Sequence, residues 1–235
     1  MKLLTKKQSS VLKSIDRFGV ITSTQLIHFL KEEMSYVTVY STKKILLNLG
    51  LIAEEKIGYH LLLYIRPRGV HYLGSDLTPF SRVNYKQLQH QLSMNDCLLA
   101  FLDMAHSRNV SFDFMTEREL RSRFITDNFS DADRKNSMKL QKVADRVPDG
   151  IVWEDGKKIA LEVELTQKSS KRYEEKLLRY RDEILNGQYR LVRYVCEDRH
   201  IQKTVATHAK REGFSPDMLQ LDLIDIVLAG AKTNE

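Results

Sequence analysis

The stretch Arg146-Val147-Pro148-Asp149-Gly150-Ile151-Val152-Trp153-Glu154-Asp155-Gly156-Lys157-Lys158-Ile159-Ala160-Leu161-Glu162-Val163-Glu164-Leu165-Thr166 constrains the fold more than any other part of the chain. Two short apolar runs flank Glu154-Asp155-Gly156-Lys157, an acidic-Gly turn of the kind that joins antiparallel strands, so the spacing predicts a β-hairpin. Side chains alternate across a strand. That groups Ala160, Glu162 and Glu164 on one face and sends Leu161, Val163 and Leu165 into a core on the other. Asp149 opens the partner strand, within reach of the acidic face. Carboxylates gathered in this way repel one another and rise in pKa unless a cation sits among them, and oxygen donors suit Mg²⁺ or Mn²⁺. The same alternation also describes the solvated face of an amphipathic strand.

Charge is spread unevenly over the 235 residues, which suffice for one large domain or two smaller ones. Residues 1 to 82 hold twelve Lys and Arg against six Asp and Glu, which equals the whole formal excess of +6 and leaves 25 bases and 25 acids in the remainder. A basic N-terminal module beside a neutral body predicts two domains, 1–78 and 79–235, and an acidic partner for the first, nucleic acid before membrane. No run approaches a membrane span in length and apolarity, and Met1-Lys2-Leu3-Leu4-Thr5-Lys6-Lys7 leads into an amphipathic helix instead of a signal sequence. The expectation is a cytoplasmic protein. Cys97 and Cys196 lie far apart in apolar contexts and read as buried thiols.

Thr5 is placed to cap a helix ending at Gly19, Thr22-Ser23-Thr24-Gln25 opens a second, and Ser35 caps a third. On the third, Val39, Thr42, Leu46 and Leu49 recur at helical spacing and face inward, which leaves Tyr36, Val37, Tyr40, Ser41, Lys43 and Lys44 outside. Gly50 ends it, and 51–66 reads as a two-stranded hairpin. A long helix is expected from about Tyr85 to His106 as the buried spine of the second domain, with His90 and Asn95 either satisfied in the core or reaching a site. A strand follows over 110–115, then a polar mobile loop over 126–142, the central hairpin, a helix from Lys168-Ser169-Ser170 to Asn186-Gly187, a strand over 190–196, a helix over 199–211 and an extended apolar run over 219–228. The fold class is α/β (α+β), without internal repeats.

Three helices and a hairpin, with the exit Ile45-Leu46-Leu47-Asn48-Leu49-Gly50-Leu51-Ile52, resemble winged helix-turn-helix domains. The resemblance implies a third helix in the major groove of double-stranded DNA, with Tyr36, Tyr40, Ser41, Lys43 and Lys44 against it and Lys56, His60 and Arg66 on the wing. A solvated face of a protein-interaction module is the alternative.

The second half resembles the PD-(D/E)xK nuclease-like fold, through Pro148-Asp149 and Glu162-Val163-Glu164 within a helix, three strands, a helix and a further strand. That resemblance implies a divalent metal on Asp149 and Glu162, with Glu119 or equally Glu117 as an extra acid. Glu164 stands where the family carries Lys. Lys168, Lys171 or Lys176 on the next helix are the candidates to replace it, and the implied catalytic set is Asp149, Glu162, Glu164 and Lys176.

Taken together, the winged-helix region, His90 and Asn95, Glu117-Arg118-Glu119-Leu120-Arg121, Val147-Pro148-Asp149-Gly150, Leu161-Glu162-Val163-Glu164 and Lys176-Leu177-Leu178-Arg179-Tyr180 are similar to the replication-relaxation family of plasmids, phages and integrative elements. The similarity implies a DNA-binding protein of a mobile element, acting in replication, transfer or their control. Its nuclease-like half would be a scaffold or dimerisation domain, or alternatively a Mg²⁺-dependent endonuclease. A homodimer, a relaxase or a replication initiator are the implied protein partners.

Overall fold

The computed structural model describes residues 3–77 and 85–232 of a mixed α/β chain. Its contacts divide it into two compact units, Met1–Leu99 with Arg121–Phe129, and Ala100–Leu120 with Ser130–Glu235. The junction expected at residues 78 and 79 lies outside the described residues.

In the first unit, local capping starts the first three helices where the sequence places them. Helix α1 (Lys6–Phe18) begins with a reciprocal capping box between Thr5 and Gln8 and stops at Gly19, whose φ is +77°. Strand β1 (Val20–Thr22) follows, and Thr22 then caps α2 (Ser23–Phe29) in a second box with Gln25. Ser35 caps α3 (Tyr36–Asn48). Each box satisfies amide groups that the first turn of a helix leaves without a partner. Strands β2 (Ile52–Ile57) and β3 (His60–Ile65) form the expected hairpin about Gly58 and Tyr59, and β1 adds antiparallel to β3, giving the order β1-β3-β2. The strand β1 had no counterpart in the sequence reading. Val11, Leu12, Ile15 and Phe18 of α1 are buried, as are Leu26, Val39, Leu46, Leu62 and Ile65 of the elements that follow. Burying each of these side chains contributes about 1.5–3 kcal/mol before conformational entropy is subtracted.

After α4 (Pro67–Leu73), the long helix α5 (Tyr85–Ser107) appears at its expected position. Its role differs from the expected one. The residues through Leu99 group with the first unit instead of forming the spine of the second, and Leu92 packs against Val20 and Leu62. Asn95 is fully buried there, donating to the Val20 carbonyl at 2.9 Å and to Gln25 Oε1 at 3.3 Å, which makes it a structural amide.

The second unit is built on a five-stranded mixed sheet, β4 (Phe112–Thr116), β5 (Gly150–Glu154), β6 (Lys157–Glu164), β7 (Leu191–Cys196) and β8 (Leu219–Leu223), in that spatial order. The first three strands are antiparallel, and β6, β7 and β8 run parallel. Asp155 and Gly156 both have positive φ, +51° and +73°, as a two-residue hairpin turn matched to strand twist requires. The expected loop at 126–142 is instead mostly helical. Helix α6 (Glu117–Asn128) runs into it, and two short helices follow, α7 (Asp131–Arg134) capped by Ser130 and α8 (Ser137–Gln141) capped by Asn136. Helices α9 (Ser170–Leu185) and α10 (Arg199–Arg211) cover one sheet face, where Tyr173, Leu177, Tyr180, Val192, Tyr194 and Val205 form the core. The extended run expected over 219–228 ends at Leu223, and α11 (Ile224–Lys232) replaces the remainder. Both cysteines are buried thiols. Among the described residues no helix is long and apolar enough to cross a membrane.

Candidate functional site

Two surfaces concentrate chemistry, one in each unit. In the first unit, α3 buries Val39, Thr42 and Leu46 and leaves Tyr36, Val37 and Tyr40 at 67, 56 and 50% exposure, with Ser41 and Lys44 also exposed. Residues 36, 37, 40, 41 and 44 share one face by helix geometry. The Lys44 ammonium lies 4.6 Å from the centre of the Tyr40 ring, a cation–π contact that holds a positive charge beside an exposed aromatic. Lys56, His60 and Arg66 are exposed on or next to the hairpin.

Lys43 departs from the expected arrangement. It is 5% exposed and its ammonium meets Glu54 Oε2 of β2 at 2.5 Å. Positions 39, 42, 43 and 46 follow the i, i+3, i+4, i+7 rule of a single face, so Lys43 belongs with the core stripe despite its charge. It ties α3 to β2 and leaves the outward surface to its neighbours.

In the second unit, Glu162 and Glu164 are 2% and 5% exposed, so they are not the solvated face of a strand. Each is met by a lysine from beyond the hairpin. The Lys176 ammonium of α9 contacts Glu162 Oε2, while the Tyr180 hydroxyl one turn further on donates to Glu162 Oε1. Lys168 meets Glu164 Oε1 at 2.9 Å. Lys171, the third candidate, points away to an exposed pairing with Glu175 at 3.9 Å. Asp149 Oδ2 accepts the Val163 backbone N–H at 2.9 Å, which fixes the carboxyl across the hairpin beside the Glu162 strand.

Burial pushes the Glu162 carboxyl up to about 7; Lys176 and Tyr180 work to lower it, and the nearby Asp149 charge raises it further. For Lys176, burial works to lower the ammonium pKa, but the charges of Glu162 and Asp149 outweigh it and raise it. Tyr194, paired in register with Glu162 across β6 and β7, is fully buried, and its hydroxyl has no hydrogen-bond partner among the described residues. Burial, followed by the charges of Glu162 and Glu164, holds its phenol well above the ordinary tyrosine range.

Glu119 is engaged at the start of α6. Its Oε2 accepts the Thr116 amide at 2.8 Å and the Thr116 hydroxyl at 3.0 Å, and its own amide donates to Thr116 Oγ1 at 3.3 Å. This is a capping box at the start of α6. Both oxygens of Glu162 are likewise engaged by protein donors. Among the described residues no group of three His, Cys, Asp or Glu side chains is arranged to hold a metal ion. As the side chains stand, Lys176 and Tyr180 occupy both oxygens of Glu162 and Lys168 is paired with Glu164, so a divalent cation on these acids would have to displace them.

Sequence reasoning missed Tyr180 and Tyr194 as neighbours of Glu162. The signal was the four-residue spacing of Lys176 and Tyr180, which brings both onto the face of α9 turned toward the strand. No protein-family model matches the chain, and no curated protein is significantly similar to it.

Proposed function

We propose that the chain is a sequence-specific double-stranded-DNA-binding protein. In this reading the first unit is a winged-helix module that reads the major groove through α3, and the second is a nuclease-like scaffold. The observation that carries it is the outward face of α3, where Tyr36, Val37, Tyr40, Ser41 and Lys44 remain exposed on a helix whose opposite face is locked into the core. A rigid helix with aromatic, hydroxyl and cationic groups on its free face offers contacts both to bases and to phosphates. The succession α1, β1, α2, α3, β2, β3 supports the winged-helix reading, with Lys56, His60 and Arg66 available to the backbone flanking the groove. The excess of six positive charges in residues 1 to 82 favours DNA over a protein partner for this face. The resemblance of the short sequence motifs to replication-relaxation proteins extends the proposal to replication, transfer or control of a mobile element.

Fluorescence anisotropy on duplex DNA tests this reading. Lys44→Ala weakens binding and flattens the dependence of log affinity on log salt by about one unit, the signature of one lost phosphate contact. Tyr40→Ala weakens binding with little change in that slope. Affinity unchanged in both variants would sink the placement.

The endonuclease alternative requires Lys176 and Tyr180 to release Glu162. Nicking of supercoiled plasmid with Mg²⁺, abolished in Asp149→Asn, would establish it.

A further inference from the structure

A cavity of about 770 Å³ opens in the second unit between residues 142–146 and the first half of α9. Six cationic side chains line it: Lys142, Arg146, Lys171, Arg172, Lys176 and Arg179. Four of them have carboxylate partners. Arg172 meets Asp145 at 3.2 Å, Lys171 meets Glu175 at 3.9 Å, Lys176 meets Glu162, and Arg179 lies 3.7 Å from Glu183. Lys142 and Arg146 are exposed and have no ion-pair partner among the described residues. Lys142 and Arg146 are therefore cations of the cavity wall without a paired carboxylate, in a stretch, residues 83–235, whose formal charges balance. Ser169 also lines the cavity as the N-cap residue of α9, and it makes no side-chain capping bond. The open amides of that first helical turn add donors of the same polarity.

We propose that this cavity is a second, metal-independent nucleic-acid site that holds the backbone phosphates of a single strand. Arginine forks and lysine ammonium groups on two facing segments match phosphate oxygens by charge-assisted hydrogen bonding. The cavity is far larger than one inorganic phosphate, and its cations are distributed over both walls, so it fits successive phosphates of a strand. No metal ion is needed to balance the acids behind it, since Lys176 and Lys168 already do so. The site is independent of the α3 reading, because it lies wholly within the other unit.

The test uses the full chain carrying Tyr40→Ala and Lys44→Ala, so that α3 is silenced, and measures anisotropy of a labelled single-stranded oligonucleotide in EDTA. Binding persists in this background. Adding Lys142→Ala and Arg146→Ala, both exposed and unpaired, leaves the thermal midpoint unchanged, weakens binding severalfold and flattens the salt slope by about 1.4 for two lost single-strand contacts. Unchanged affinity and slope, loss of all binding on chelation of metal, or absence of oligonucleotide binding from the silenced background would each overturn the proposal. So would calorimetric binding of inorganic phosphate without binding of the strand, which would make the cavity a small-anion site only.

Discussion

Lys176 reaches back from α9 to Glu162, fourteen residues earlier on β6, and places its ammonium against a carboxylate that is almost wholly removed from water. A charge buried this deeply is tolerated only when paired and hydrogen-bonded, and the Tyr180 hydroxyl completes the arrangement on the second oxygen. Strand and helix are thereby joined through a polar contact in the middle of an apolar layer.

That pairing predicts a specific pH dependence of stability. The Glu162 carboxyl titrates near 7 when folded, above its value of 4.5 in an unfolded chain, so the native state holds its proton more tightly. Stability from this group is full below about 4.5 and is lost as pH rises through about 7, with a total on the order of a few kcal/mol. Urea denaturation across this window should show a shallower decline in Glu162→Gln than in wild type. Because Lys176 lowers the Glu162 pKa, Lys176→Met should move the inflection to higher pH; no difference among the three proteins would refute the assignment.

Lys43 and Lys44 are adjacent and should behave in opposite ways. Lys43→Ala removes the α3–β2 ion pair and the buried lysine stem and costs about 1 kcal/mol of stability. Lys44→Ala, on the free face, changes stability by no more than about 0.5 kcal/mol and acts on DNA affinity instead. Denaturant midpoints and anisotropy on the same two proteins separate these roles.

Arg193 is 6% exposed on β7, donates to Glu154 Oε2 at 2.7 Å and to Gln220 Oε1 at 3.0 Å, and lies 4.7 Å from the centre of the Phe101 ring. It therefore fastens β7 to β5, β8 and the end of α5. Arg193→Ala leaves the partly buried Glu154 and Gln220 without this partner and should cost about 1–3 kcal/mol. Arg193→Lys should recover only part of it, since an ammonium cannot reproduce the planar fork. Full recovery in thermal denaturation would contradict the geometry.

Gly69 in α4 has no room for a side chain, because a Cβ would stand 2.3 Å from the Leu51 carbonyl oxygen and 2.8 Å from Ile65 Cγ1. Gly69→Ala should therefore destabilise the first unit by about 1–3 kcal/mol, although alanine is the better helix former. A gain in thermal midpoint would show that the α4 contact is looser than this.

Features encoded by neighbours in sequence were legible before the structure. Thr5 with Gln8, Thr22 with Gln25, and Asp155 with Gly156 announce a helix start or a turn by chemistry within three residues, and those boundaries hold. Features that depend on distant partners were not. Val20–Thr22 is too short to show strand alternation and becomes a strand only by pairing with Leu62–Tyr64. Lys43 looks like a surface residue until Glu54 is placed beside it. The helices within 126–142 carry capping residues but no apolar stripe, so periodicity passed over them. At the acidic cluster, the strand positions of Glu162 and Glu164 followed from alternation, whereas their burial follows from α9 covering that face.

The central claim is that α3 reads duplex DNA. Selection of bound duplexes from a random-sequence pool, performed in parallel with wild type and with the Tyr40→Ala, Lys44→Ala double variant, measures it most directly. A single enriched sequence with wild type that disappears with the variant is the predicted result. No enrichment with wild type, or the same motif from both proteins, would contradict it.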